Sequence, residues 1–212
     1  MAHYDLEEQE QLENMKTWWK MYGNTVTAVI TAISLVVVIW QGWNWYQRNQ
    51  SGQAAAIYSV LEQAVASKDV QKAKNIAGEL AEKFSSTSYA SLGALLAAKQ
   101  SFEVGDLKTA KSQLAWAAAN GQDEIKDLAR MRLAAVLLDE KAYDEALKQL
   151  DGAHASAFDA RFLELKGDVL AAQGKKVEAR GAYKAAQGKS SAKPGPGVEL
   201  LQQKLDSLGE AA

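Results

Sequence analysis

The residues whose types could do chemistry are few in this chain, and they are poorly spaced for it. There are two histidines, His3 and His154, and no cysteine. Without a His-x-x-x-His pair or a Cys-x-x-Cys pair, no nitrogen or sulfur metal centre can be assembled in the usual way, and thiolate catalysis and disulfides are excluded outright. His154 follows Gly152 and reads as a turn residue. The acidic pairs Asp139-Glu140 and Asp144-Glu145 could exchange protons with a substrate only inside a cleft, and on helix faces they read as solvated charge. Gly195-Pro196-Gly197 lacks the lysine and the strand-to-helix setting of a phosphate loop and reads as a linker. No catalytic residue, metal or cofactor is expected, so function is expected to reside in surfaces.

The elements that shape those surfaces begin with a stretch that carries no charge. Between Lys20 and Arg48 no residue is ionised, and Trp18, Trp19 and Tyr22 stand at one end with Trp40, Trp43, Trp45 and Tyr46 at the other. About 20 apolar residues at 1.5 Å each cross a hydrocarbon layer of roughly 30 Å. Aromatic rings favour the headgroup zone, so the two clusters mark the two interfaces with membrane lipid. The segments expected are an acidic tail over 1–22, a transmembrane helix over 23–46 and a polar domain over 47–212. A cleaved signal peptide fits less well, because the leading segment is long and acidic and the run ends in bulky aromatics. Lys16 and Lys20 against Arg48 favour an N-terminus inside the cell and a domain outside it. Leu12, Met15, Trp19 and Tyr22, spaced by three and four, predict a short interfacial helix in the tail.

Asp5, Glu7, Glu8, Glu10 and Glu13 against Lys16 and Lys20 make the tail acidic by three charges, which leaves the rest of the chain at +1 of the overall −2. No clustered basic face emerges, so nucleic acid is not an expected partner. A 48% hydrophobic and 24% charged composition excludes a disordered chain.

From residue 47 onward Ala, Leu, Lys and Glu recur with helical spacing, and the first proline is Pro194. An all-α domain follows, broken into short antiparallel helices at Ser67–Asp69, Ser85–Ser88, Gly105-Asp106, Asn120-Gly121, near Lys141, at Asp151-Gly152, at Gly174 and over Gly188–Gly197. Superposing the segments 104–117, 140–153 and 173–186 aligns Ala110 with Ala146 and Ala179, Leu114 with Leu150 and Tyr183, and Ala117 with Ala153 and Ala186. Ala98, Ala134 and Gly167 mark the first helix of each pair. A period near 34 with small residues at helix crossings is the tetratricopeptide pattern, a solenoid of helical hairpins. The predicted units are 53–87, 88–122, 123–156 and 157–190, with a capping helix over 198–208. The competing arrangement is an irregular alanine-rich bundle.

In such a solenoid the first helices line the concave side, and this register puts Leu95, Lys99, Phe102, Met131, Leu138 and Asp168 there, with Arg161 and Glu164 near the rim. These residues form a candidate peptide groove, or several of them pack between repeats. Within the apolar run, Gly23, Thr27, Thr31 and Ser34 form a small-residue stripe on which another transmembrane helix could dock; alternatively each hydroxyl bonds its own helix.

The aromatic segment Trp40–Tyr46, then Ala81-Glu-Lys-Phe84, Leu128-Ala-Arg-Met-Arg-Leu-Ala134, Leu165-Lys-Gly-Asp168 and Gly174-Lys-Lys-Val-Glu-Ala-Arg180, in this order, resemble the YfgM family of ancillary SecYEG translocon subunits. The resemblance runs through nearly the whole chain and departs at Gly195–Gly197. It implies a single-pass protein of the bacterial inner membrane with its domain in the periplasm. The partners it implies are the SecYEG translocon, a membrane-anchored periplasmic chaperone of the PpiD type and exported client proteins, and a stress-regulatory role for the cytosolic side is implied as well. Two function classes stand at this point: a translocon-associated scaffold or chaperone accessory, and an anchored envelope scaffold for one defined partner.

Overall fold

The structure is a computed structural model that describes residues 2–190 and 196–209, and the side chains of residues 2–7 and of Pro196 fall outside that description. Half of the expected Gly188–Gly197 linker, residues 191–195, therefore lies outside the described residues. Among the described residues the chain is entirely helical: α1 (Ala2–Ala66), α2 (Val70–Lys83), α3 (Ser88–Glu103), α4 (Leu107–Asn120), α5 (Asp123–Asp139), α6 (Tyr143–Leu150), α7 (Asp159–Ala172), α8 (Lys176–Lys189) and α9 (Pro196–Ser207), with one 3₁₀ turn at Ser156–Phe158. Two compact units divide it, Met1–Asn49 and Gln50–Ala212. The tail helix expected to be separate is not a separate element, since α1 is a single helix with neither proline nor a capping turn to interrupt it.

In the first unit the aliphatic run of α1 is left uncovered by the described residues. Val29, Ile30, Ile33 and Leu35 through Ile39 are all exposed, and in the apolar window of this helix only 6% of the residues are buried. A core helix of a water-soluble domain would be mostly covered. At roughly 25 cal/mol per Å² of exposed apolar surface, this length of bare aliphatic helix is unfavourable in water. It is long and apolar enough to cross a membrane.

The second unit is a stack of hairpins with alanine at its crossings. Ala73 and Ala77 of α2 pack on Ala54, Leu61 and Ala64. Ala98 of α3, Leu114 and Ala117 of α4, Ala134 of α5 and Ala146 and Leu150 of α6 share one core with Phe162 and Val169 of α7. A third cluster joins Leu170, Ala179, Ala182, Tyr183 and Ala186 to Leu201 and Leu205 of α9. The first helices also meet one another directly, α3 with α5 and α5 with α7.

One turn recurs four times and sets the geometry of every pair. At Lys68, Gly105, Lys141 and Gly174 the backbone is left-handed, with φ of 57°, 81°, 62° and 79°. Each time the N–H of the next residue reaches back to a carbonyl five positions earlier: Asp69 to Ala64, Asp106 to Ser101, Ala142 to Leu137 and Lys175 to Leu170. That is the Schellman closure, and it favours glycine at the left-handed position. Two copies have glycine and two have lysine, which bears a steric cost of about 1–2 kcal/mol there. Asp69 and Asp106 then cap the following helix through the N–H groups of Lys72 and Thr109, each at 3.0 Å. Lys141→Gly should therefore raise stability by about 0.5–1 kcal/mol, net of the added freedom of the unfolded chain. Lys126→Gly at an exposed position of α5 should lower it by about 1 kcal/mol. Urea unfolding of the two variants checks this, and a destabilised Lys141→Gly would mean that the turn is not left-handed.

Candidate functional site

Between α3 and α5 the stack opens into a cleft of ≈ 320 Å³ whose floor is Ala98, Leu114, Ala135 and Val136. Phe102 forms one wall and remains 43% exposed, an uncommon state for a ring this close to a core. The rim is charged, with Lys99 on α3 and Arg132 and Asp139 on α5. Lys99 reaches Glu103 only at 3.8 Å, and among the described residues Arg132 and Asp139 have no ion-pair partner. A concave apolar floor with unpaired charge at its edge can hold an extended or helical segment by one or two bulky side chains and steer its flanks.

Of the residues expected in a groove, the structure brings Lys99 and Phe102 to this cleft. Leu95 is buried, and Met131 and Leu138 are partly buried against the same core, so these three pack between helices and do not line the opening. Sequence reasoning missed Arg132, Ala135, Val136 and Asp139, one turn-spaced face of α5 that a helical wheel anchored on Phe102 of the neighbouring helix would have found.

Arg161, Glu164 and Asp168 belong to a different assembly. Arg161 is exposed and approaches Glu164 at 3.1 Å, while the Glu164 side chain is nearly covered. Lys204 of α9 donates to Glu164 Oε1 at 2.8 Å and to the Asp168 carboxylate at 2.8 Å, and the Tyr183 hydroxyl donates to Asp168 Oδ1 at 2.8 Å. Burial opposes the Lys204 ammonium, but its bonds to Asp168 and Glu164 outweigh that, so its pKa lies above the ordinary lysine value. Burial, and then the Asp168 carboxylate, push the Tyr183 phenol up, so it stays a donor. The capping helix thus occupies these carboxylates, and they are not available to a ligand.

A second buried network fixes the bend between α6 and α7. The Arg130 side chain donates from Nε to the Gln149 carbonyl, from Nη1 to that of Ala153 and from Nη2 to that of Asp151, each at 2.9 Å. Asp127 lies 3.4 Å from Arg130 and accepts the Ala155 N–H at 2.8 Å. Phe162 lies under the guanidinium, 5.3 Å from its centre, and the His154 ring stacks on the same phenyl at 4.0 Å. His154 Nδ1 faces the Gly152 carbonyl and Nε2 faces Asp159, so its role is to pin a turn. The Lys189 hydrogen bond holds the Asp159 carboxyl below the usual carboxylate range. The same bend removes Ala153 from the helix on which the repeat alignment put it: α6 stops at Leu150, and Ala153 is exposed in the following loop. The other aligned small residues, Ala98, Ala110, Ala117, Ala134, Ala146, Gly167, Ala179 and Ala186, are buried, as are Leu114, Leu150 and Tyr183.

On α1 the Thr27 hydroxyl donates to the Gly23 carbonyl at 2.7 Å and that of Thr31 to the Thr27 carbonyl at 2.8 Å. Gly23 is covered by the Trp19 indole, and Ser34 is exposed. The hydroxyls of Thr27 and Thr31 are thus spent on their own helix, so what this stripe offers a neighbouring helix is small size and not a free donor. Trp18 packs against Trp19 and Tyr22, and Trp43 against Tyr46, while Trp40 and Trp45 stand free at 64% and 70% exposure.

Comparison with known proteins places this arrangement. The profile of the tetratricopeptide repeat-like domain family matches residues 16–210. A protein of Neisseria gonorrhoeae named "Ancillary SecYEG translocon subunit" is 35% identical over 96% of this chain and 98% of its own length. One of Haemophilus influenzae with the same name is 31% identical over 97% of this chain and 99% of its own. The chain belongs to the family of ancillary SecYEG translocon subunits. A relative of that name from Escherichia coli is 29% identical across 95% of this chain and 96% of its own length. Among solved structures, a chain described as "MamA RS-1 ArsTM double mutant" superposes with a TM-score of 0.55 at 18% identity over 73% of this chain and 82% of its own, a likeness of fold alone.

Among the described residues of this family member no group of three or more histidine, cysteine, aspartate or glutamate side chains could hold a metal ion. What sequence reasoning missed in this family member is the Arg130 clasp and the Lys204 tie. Their partners lie 19 to 40 positions away and obey no local spacing.

Proposed function

We propose that this chain is a non-enzymatic, membrane-anchored accessory of the SecYEG translocon that crosses the inner membrane once through α1, with its N-terminus in the cytosol and its hairpin stack in the periplasm. There the α3–α5 cleft holds exported proteins as they emerge, or a periplasmic chaperone partner of the PpiD type. The observation that carries this reading is Phe102, a half-exposed ring in an apolar cleft whose rim charges Arg132 and Asp139 have no ion-pair partner among the described residues. The names of the relatives support the translocon as the setting.

A photoreactive residue placed at Arg132 should capture translocon components or nascent exported chains in cells, whereas one at Val177, 79% exposed on α8, should not. Phe102→Asp should reduce that capture about fivefold, the worth of half a buried phenyl, with helicity unchanged. Capture of one resident protein alone would favour the anchored envelope scaffold. Equal yields from Val177 would remove the cleft from the function.

A further inference from the structure

Just ahead of the apolar run, Met15, Lys16, Trp19 and Lys20 enclose a shallow concave surface on α1. Lys16 and Lys20 are one helical turn apart, and among the described residues neither ammonium is within ion-pair distance of a carboxylate. The Trp19 indole beside them is held in place. A Cβ at Gly23 would sit 3.1 Å from Trp19 Cε2 and Nε1, so the ring lies flat across bare backbone and depends on the missing side chain at that position. Leu12, Met15 and Trp19 fall within about 60° of one another on the helix, and the two lysines flank that stripe on one side. The nearest acid is Glu13, about 4.5 Å farther along the axis from Lys16 and about 10 Å from Lys20, on the side away from the apolar run.

We propose that this surface is a binding site for the headgroup phosphate of an anionic phospholipid, with the Lys16 and Lys20 ammoniums on the phosphate oxygens and the Trp19 ring against the glycerol and upper acyl chain. The proposal rests on the reading that α1 crosses a bilayer. The position of the charges selects the lipid: Glu13 partly offsets Lys16 from the side away from the apolar run, and Lys20, nearest that run, is left to match a lipid with net negative charge in preference to a zwitterionic one, whose own ammonium competes for the phosphate. Aromatic and basic side chains at an interface are general anchors. Specific here are a ring parked on a glycine and two cations one turn apart that make no ion pair among the described residues.

The test uses the full chain reconstituted into vesicles of phosphatidylethanolamine and phosphatidylglycerol, with bromine on the acyl chains of one lipid or of the other. In one variant Trp19 is the only tryptophan, the other five being phenylalanine; in a companion variant Trp45 is the only one. Trp19 fluorescence should be quenched preferentially by brominated phosphatidylglycerol, with a relative association about fivefold above that of phosphatidylethanolamine, the factor that one uncompensated cation near an anionic surface supplies. The preference should fall to near unity in Lys16→Gln/Lys20→Gln. It should also fall in Gly23→Leu, which displaces the indole without changing the charge. Soluble phosphate should not compete. Equal quenching of Trp19 by the two lipids, with Trp45 quenched as well, would overturn the headgroup site and leave the bilayer span standing. No quenching of either reporter would overturn the span and the site together.

Discussion

Arg130→Met is expected to destabilise the hairpin stack by about 3–4 kcal/mol, the largest effect of any single change considered for this chain. The guanidinium satisfies the Gln149 carbonyl in the last turn of α6 and the loop carbonyls of Asp151 and Ala153, each at 2.9 Å, and stands beside the buried Asp127 carboxylate, and methionine fills the space while satisfying none of them. Some of those carbonyls can turn to water once released, which keeps the expected loss below the sum of three orphaned acceptors at roughly 1–3 kcal/mol each. Asp127 cannot follow as easily, because its other oxygen is fixed on the Ala155 N–H. Arg130→Lys should lose about half as much, since one ammonium reaches one or two of the carbonyls but lacks the planar fork. Urea unfolding followed by circular dichroism measures the loss, and amide exchange in residues 149–158 locates it. A methionine variant within about 1 kcal/mol of the parent would mean that the loop stands without its clasp.

The second large effect is expected at Gly167. A Cβ there would run into the Tyr183 ring, and even the ring carbon bearing the hydroxyl would be only 3.0 Å away. That ring cannot swing aside freely, because its hydroxyl is bonded to Asp168, which in turn holds Lys204. Gly167→Val should therefore cost about 3 kcal/mol, at the top of the range for overpacking. Gly167→Ala should cost less, since alanine recovers about 1 kcal/mol of helix propensity. Making room with Tyr183→Leu should return at least about 1 kcal/mol in the valine background, a coupling that double-mutant analysis reads directly. Additive losses in the double variant would show that residues 167 and 183 do not meet.

Much of the architecture was legible in the chain because it rests on local signals. The uncharged run between Lys20 and Arg48 and the aromatic clusters mark α1's apolar segment, and Gly105-Asp106 and Gly174 write out turns whose left-handed residue is glycine. Lys68 and Lys141 occupy the same turn without that signature, and there only the break in helical spacing gave the location. Ala153 exposes the limit of superposing segments without gaps. Asp151-Gly152 signals the end of a helix, and Gly152 has φ 115°, so a residue just past it cannot continue that helix. The turn chemistry and the repeat register disagreed, and the turn chemistry won. The cleft was legible only in part. Its register depends on how α5 is rotated against α3, which long-range packing sets, so Phe102 and Lys99 were found while Arg132 and Asp139 were not. The three-carbonyl clasp joins residues with no periodic relation, and nothing short of the folded backbone brings them together.

The helix α9 has a consequence for how one hairpin stack meets another. A hairpin array with a bare last face can accept another array, and head-to-tail addition of that kind has no natural stopping point. Here Leu201 and Leu205 cover that face, and Lys204 bonds to the Glu164 and Asp168 carboxylates. The last hairpin thus carries its own cover, and the surface on which a further hairpin would stack is already filled.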